Sequence, residues 1–138
     1  MKPDPDYLKQ LLTAFQSAPN PTTDIQELKD AGLPFDDPRF EFHMMQLKDD
    51  GFVECAGERP ITDQTGIGLS RSADGRAEWS VIPLRLTAKG NKFAEAMGNS
   101  EVLQTLKKSA VSASVGAIYD AAIAIFKAKI AKHTGLQL

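Results

Sequence analysis

Arg39, His43, Gln46 and Lys48 fall close together in the stretch DDPRFEFHMMQLKDDGFVECA, residues 36–56. On a helix lying in a major groove, side chains of these types reach base edges and phosphates. Arg59, Arg71 and Arg76 form a second set, in a glycine-bearing stretch that follows. Arginines on such a loop can enter a minor groove. Acids crowd both sets. Residues 36–50 hold Asp36, Asp37, Glu41, Asp49 and Asp50 against Arg39 and Lys48, and Glu58, Asp63 and Asp74 bring the loop to net zero. Phosphate neutralisation supplies most nonspecific affinity for nucleic acid, with log K falling by about 0.9 per contact per decade of salt. A helix with that acid excess adds nothing to this term. The plain alternatives are a solvated structural helix and a flexible surface loop.

Other chemistries find less support. His43 and His133 are the two histidines, Cys55 is the one cysteine, and no C-x-x-C or H-x-x-x-H spacing joins them. A four-ligand zinc site would need several carboxylates as well. Gly66-Ile67-Gly68 lacks the third glycine, the lysine and the following helix of a phosphate loop. No nucleophile–base constellation is visible. The expectation is therefore no enzyme, no cofactor and no metal.

Composition places these residues in one compact globular chain. The 138 residues are 42% hydrophobic and 25% charged, enough apolar material for a core. The net charge of -2 and a pI near 5.7 exclude a global basic field. The charge is uneven: residues 1–56 carry eleven acids against five bases, and residues 100–138 carry two acids against five lysines. A single cysteine and no visible signal peptide point to a cytoplasmic protein. Residues 110–131 are apolar but interrupted by Asp120, Lys127 and Lys129, so no membrane span is expected.

The elements that must position the candidates follow from caps and periodicity. Asp4-Pro5 opens a helix with Leu8, Leu11, Leu12 and Phe15 on one stripe, ended by the prolines of residues 17–21. Thr23 to Gln26 matches a capping box for a short second helix with Ile25 and Leu28 inward, stopped at Gly32. Asp37-Pro38 opens the third helix, with Phe40, Met44 and Leu47 facing the core and Gly51 as its end. A strand begins at Phe52-Val53. Residues 57–77 read as a long wing loop with Asp74-Gly75 at its tightest turn and room for a short strand at Ile67 and Leu69. Glu78–Leu86 reads as one return strand, with Pro83 marking an edge. Thr87 caps a helix that buries Phe93, Ala94 and Met97. Ser100 starts another with Val102, Leu103 and Leu106. A long helix over 110–133 shows Val111, Val115, Ile118, Ala122, Ile125 and Phe126 on a wide apolar face, closed by Gly135. That face exceeds what one neighbour covers. Val115, Ile118, Ala122 and Ile125 are therefore the expected seam of a homodimer.

The stretch HMMQLKDDGFV (43–53), followed by LRLTAKGNKF (84–93), resembles the pattern H-L-x-x-L-x-x-x-G-L-[IV] … L-T-x-x-G of bacterial winged-helix regulators. The opening MKPDPDYLKQLL is similar to the start of a family of small bacterial and phage proteins known only as a domain of unknown function. The likeness covers most of the chain. It implies a mainly α fold with a small β-hairpin wing (α+β): a winged helix-turn-helix domain over 1–98 and a C-terminal helical extension over 99–138. The function expected with it is a small regulator, of bacterial or prophage type, that binds double-stranded DNA through Arg39, His43, Gln46, Lys48, Arg59, Arg71 and Arg76. The competing expectation is a protein–protein interaction module on the same fold that has given up DNA.

Overall fold

The computed structural model describes residues 1–61, 63–109 and 114–134, the side chains of His133 and Thr134 excepted. It is a mixed helix and strand fold with two small antiparallel sheets. The chain runs α1 (Pro5–Gln16), α2 (Ile25–Asp30), α3 (Pro38–Asp49), β1 (Val53–Cys55), β2 (Leu69–Arg71), β3 (Ala77–Trp79), β4 (Leu84–Leu86), α4 (Ala88–Met97), α5 (Ser100–Lys108) and α6 (Val115–Thr134).

The caps explain the helix starts. Asp4 accepts from the amides of Asp6 and Tyr7, and Pro5 follows at the first helical position. Asp37 does the same for α3, accepting from the Arg39 amide, with Pro38 next. At α2 the cap is Asp24, which accepts from the Gln26 and Glu27 amides, and not Thr23 as the capping-box spacing predicts. Thr23 is taken by a β-bridge: its N–H donates to Leu84 O at 2.8 Å, and Leu84 N–H donates back at 2.7 Å. Its hydroxyl donates to Glu27 instead. Backbone pairing fixes Thr23 in an extended conformation, so capping passes to the next residue.

β1 pairs with β4 in the register Val53↔Leu86, Glu54↔Arg85, Cys55↔Leu84. β2 and β3 form a separate hairpin, Leu69↔Trp79 to Arg71↔Ala77, turned at Ala73-Asp74, one residue before the expected Asp74-Gly75, with the Gly75 N–H donating to Ser72 O at 2.9 Å. The single return strand expected over 78–86 is thus two strands that serve different partners. Pro83 explains the break, since it has no N–H to give to a ladder. Its carbonyl still accepts from Ala56.

One hydrophobic cluster joins every layer. Leu8, Leu11 and Leu12 of α1, Phe40, Met44 and Leu47 of α3, Leu84 of β4 and Phe93 of α4 are fully buried in it. So are Val102 of α5 and Val115, Ile118 and Ala122 of α6, with Leu106 almost so. Residues before and after position 98 share this core. The α6 residues lie against their own chain: α6 packs on α4 and α5, and the Tyr119 ring sits 4.9 Å from Phe52 and 5.3 Å from Phe93. Val115, Ile118 and Ala122 are therefore not free to meet a symmetry mate, and Ile125 is half-buried against the same cluster. The dimer seam expected at Val115, Ile118 and Ala122 is corrected on that ground: α4, α5 and the Phe52–Phe93 pair cover this part of the wide apolar face. Expectations for Val111 and Gly135 lie outside the described residues.

Three replacements test this packing. Leu47→Ala should cost roughly 2–5 kcal/mol in chemical denaturation, because the buried side chain leaves a cavity. Ile118→Asp should abolish the cooperative melt by burying an unpaired carboxylate. Ile125→Asp, half-buried, should leave a folded chain with a lower midpoint. An Ile118→Asp protein that melts like the parent would return α6 to the surface.

Candidate nucleic-acid interface

Gly51 and Thr87 fix where α3 ends relative to the strands. Gly51 takes the left-handed φ of +77° that lets the chain reverse after Asp50. The Thr87 hydroxyl donates to Gly51 O at 2.6 Å and accepts from the Gly90 amide at 3.1 Å, while Thr87 N–H donates to Phe52 O. Gly90 lies so close beneath this turn that a Cβ there would stand 2.0 Å from Phe52 O. The L-T-x-x-G stretch thus pins α4 to the end of α3. It sets the direction in which α3 presents its outer face.

That outer face is only partly cationic. Arg39 is tied to Asp37, its Nη2 donating to Asp37 Oδ2 at 2.8 Å, and its guanidinium lies 4.9 Å over the Tyr7 ring. The paired guanidinium holds Asp37 below the usual carboxylate range, chiefly through the side-chain hydrogen bond. Arg71 of β2 reaches across to Glu41 and forms an ion pair with it. Lys48 forms an ion pair with Asp49 at 3.5 Å. Gln46 is half-exposed. Arg59 and Arg76 are exposed and form no ion pair among the described residues.

His43 does not belong to the outer face. It is fully buried, its Nε2 accepts from the Asp4 amide at 2.9 Å, and its Nδ1 donates to Arg39 O at 2.7 Å. These bonds select the neutral tautomer protonated at Nδ1. The ring lies 4.7 Å from Tyr7 and 5.1 Å from Phe42. His43 is a clasp between the start of α1 and the middle of α3, so its expected role in reading bases is corrected. Burial pushes its pKa below the ordinary 6.5. Burial likewise raises Tyr7 to about 12, with the Asp37 charge adding to it.

The hairpin is not a free-standing wing. Trp79 packs edge-on against Phe40 at 5.3 Å, Leu69 and Ile67 are buried, and Arg71 is held by Glu41. Between the hairpin and the start of α3 lies a cavity of about 580 Å³ lined by Phe35, Asp36, Asp37, Glu41, Phe42 and Trp79 among others. Sequence reasoning missed this groove. Its rings come from three separate segments, and Phe42 and Trp79 break the apolar periodicity of their elements, which was the available signal. It also missed the Arg85–Glu54 pair, 2.7 Å from Nε to Oε1, which cross-strand register would have revealed.

No group of His, Cys, Asp and Glu among the described residues could hold a metal ion, and no helix among them is long and apolar enough to cross a membrane. Cys55 is half-buried, with its thiol donating to Gly57 O at 3.1 Å.

The clasp has a measurable pH signature. The unfolded chain takes up the His43 proton first, because the folded pKa lies below the unfolded value of about 6.5. Stability should therefore be complete above that value and fall progressively as pH drops toward the folded pKa. The ring should titrate by NMR with a midpoint below 6.5, and His43→Leu should flatten the stability profile in that window. A midpoint at or above 6.5 would place the ring in solvent.

Compared with protein-family models, with curated proteins and with solved structures, the chain finds no significant match.

Proposed function

We propose that this chain is a winged helix-turn-helix protein and acts as a DNA-binding regulator of bacterial or prophage type. The observation that carries the reading is the Thr23–Leu84 bridge. It lays the segment between α1 and α2 beside β4, which pairs in turn with β1. α1 precedes this ladder, α2 and α3 lie between the Thr23 segment and β1, and the β2–β3 hairpin is inserted between β1 and β4. That order is the one by which winged helices offer a recognition helix and a wing to the same duplex. The resemblance of residues 43–53 and 84–93 to winged-helix regulators supports it independently.

Electrostatics moves the contact surface toward the C-terminal half of α3. Arg39 and Arg71 face their own carboxylates at short range and Lys48 meets Asp49 at 3.5 Å, whereas Arg59 and Arg76 form no ion pair among the described residues. Exposed ion pairs are worth about 0.2–1 kcal/mol, so a phosphate can displace Glu41 from Arg71 at small cost. The displaced carboxylate stays near the phosphate and lowers the gain.

The pairing of Arg39 and Arg71 also favours a second reading, a protein-interaction module on the same fold. Its docking site would be the aromatic and acidic groove between α3 and the hairpin.

Binding to a random-sequence duplex at two salt concentrations separates the two. Under the DNA reading log K falls with log salt, and Arg76→Ala lowers the slope by about one unit. Arg71→Ala changes it by less than Arg76→Ala, because Arg71 already has a partner. Absence of binding by the parent chain at low salt would leave the interaction module as the function.

A further inference from the structure

The cleft between the end of α3 and the base of the hairpin loop has a volume of about 350 Å³ and is lined by Lys48, Glu54, Cys55, Arg59, Gly66 and Thr87 among others. Two cationic side chains converge in it. From the point where a Cβ would stand on Gly66, Arg59 Nη1 is 3.0 Å away and Lys48 Cε is 3.9 Å away. Like charges brought together in this way repel, and the repulsion grows as the surroundings become less polar than water. A nearby counter-charge would relieve it, and the lining offers none that is free. Glu54 is engaged by Arg85 across the β1–β4 pair. Asp49 meets Lys48 from outside the lining at 3.5 Å. Glu58 and Asp63 do not line the cleft; Asp63 accepts through Oδ1 from the amides of Thr65 and Gly66, and its Oδ2 is buried with no hydrogen-bond partner among the described residues.

We propose that this cleft is an oxyanion site that takes a phosphate-type group between Lys48 and Arg59. The guanidinium offers a planar fork of donors and the ammonium a compact point charge, the pairing that suits a tetrahedral oxyanion. Gly66 leaves the floor open, since any side chain there would press on Arg59. Lys48 comes from the last turn of α3 and Arg59 from the loop after β1. The anion would thus tie the helix to the base of the hairpin. The same phosphate chemistry is offered by a polynucleotide backbone and by free phosphate. The site stands on its own geometry and does not require the DNA reading.

The test is a titration of the full chain, followed through the amide resonances of Gly57 and Gly66. Inorganic phosphate is added against chloride at equal ionic strength, and then a short random-sequence duplex. Saturable shifts at both glycines are expected with phosphate. They should weaken by about tenfold or more in Lys48→Gln and in Arg59→Gln, each removing one charge-assisted contact. Both side chains are partly or fully exposed, so the variants should melt like the parent. Shifts with phosphate and none with duplex would establish a free-anion site and overturn the DNA reading alone. Shifts with duplex at other residues, and none at these glycines with either probe, would overturn the oxyanion site and leave the DNA reading standing. Glycine shifts that persist unchanged in both variants would also overturn it.

Discussion

Close contact between the start of α4 and the turn after α3 is the constraint on which the rest of the structure depends. A Cβ at Gly90 would stand 2.0 Å from Phe52 O, and the Thr87 hydroxyl bridges Gly51 O and the Gly90 amide. Through that contact the end of α3, the start of β1 and the start of α4 behave as one unit. β4 enters it from the other side, because Leu86 pairs with Val53 and is followed at once by Thr87. The bridge from Leu84 to Thr23 then ties α2 to the same unit. In the middle of α3, His43 holds the amide of Asp4 and so fixes α1. The outer face of α3 is displayed from a frame built at the centre and the C-terminal end of the helix.

Much of this frame was legible in the sequence because it is written in local terms. Asp4-Pro5 and Asp37-Pro38 are caps whose physics needs no tertiary knowledge, and both open helices where expected. Phe40, Met44 and Leu47 lie at the spacing of one buried stripe and are fully buried. Errors arose where a distant partner overrode a local signal. Thr23 carried a sound capping-box pattern, but a strand far along the chain claimed its backbone. Glu78–Leu86 alternated like one strand, yet Pro83 divides it between two partners. His43 lies three residues after Phe40, at i+3 of the buried Phe40, Met44 and Leu47 stripe, and only its polarity suggested an outward position. A backbone amide distant in sequence settled it inward.

The candidate site was less legible, for a physical reason. Charge counting gave the right sum but not the pairing. The acid excess around α3 was visible, but the carboxylate that meets each arginine depends on how the hairpin folds back. Arg71 and Glu41 are 30 residues apart. Lys48 and Arg59 are closer in sequence but belong to elements pointing in different directions, and only the loop geometry at Gly66 brings them together. The α6 face was misjudged in the same way. Its apolar width was read correctly, but the covering partners are α4, α5 and the paired Phe52 and Phe93 rings, all within the chain.

The arrangement of charge along α3 has a consequence for how a duplex could approach. At the N-terminal end, Asp36, Asp37 and Glu41 surround a positive helix pole, and the acids take up the cations that lie near them. At the C-terminal end, Lys48 complements the negative pole, while Arg59 approaches from the loop beside it. Asp49 and Asp50 stand at that end as well, so the cations a phosphate backbone could use there are Lys48 and Arg59. A basic protein segment would meet Asp36, Asp37 and Glu41 beside the aromatic groove at the start of α3. Both readings of the fold thus predict binding on α3, but at opposite ends of it, and the end that binds identifies the class of partner.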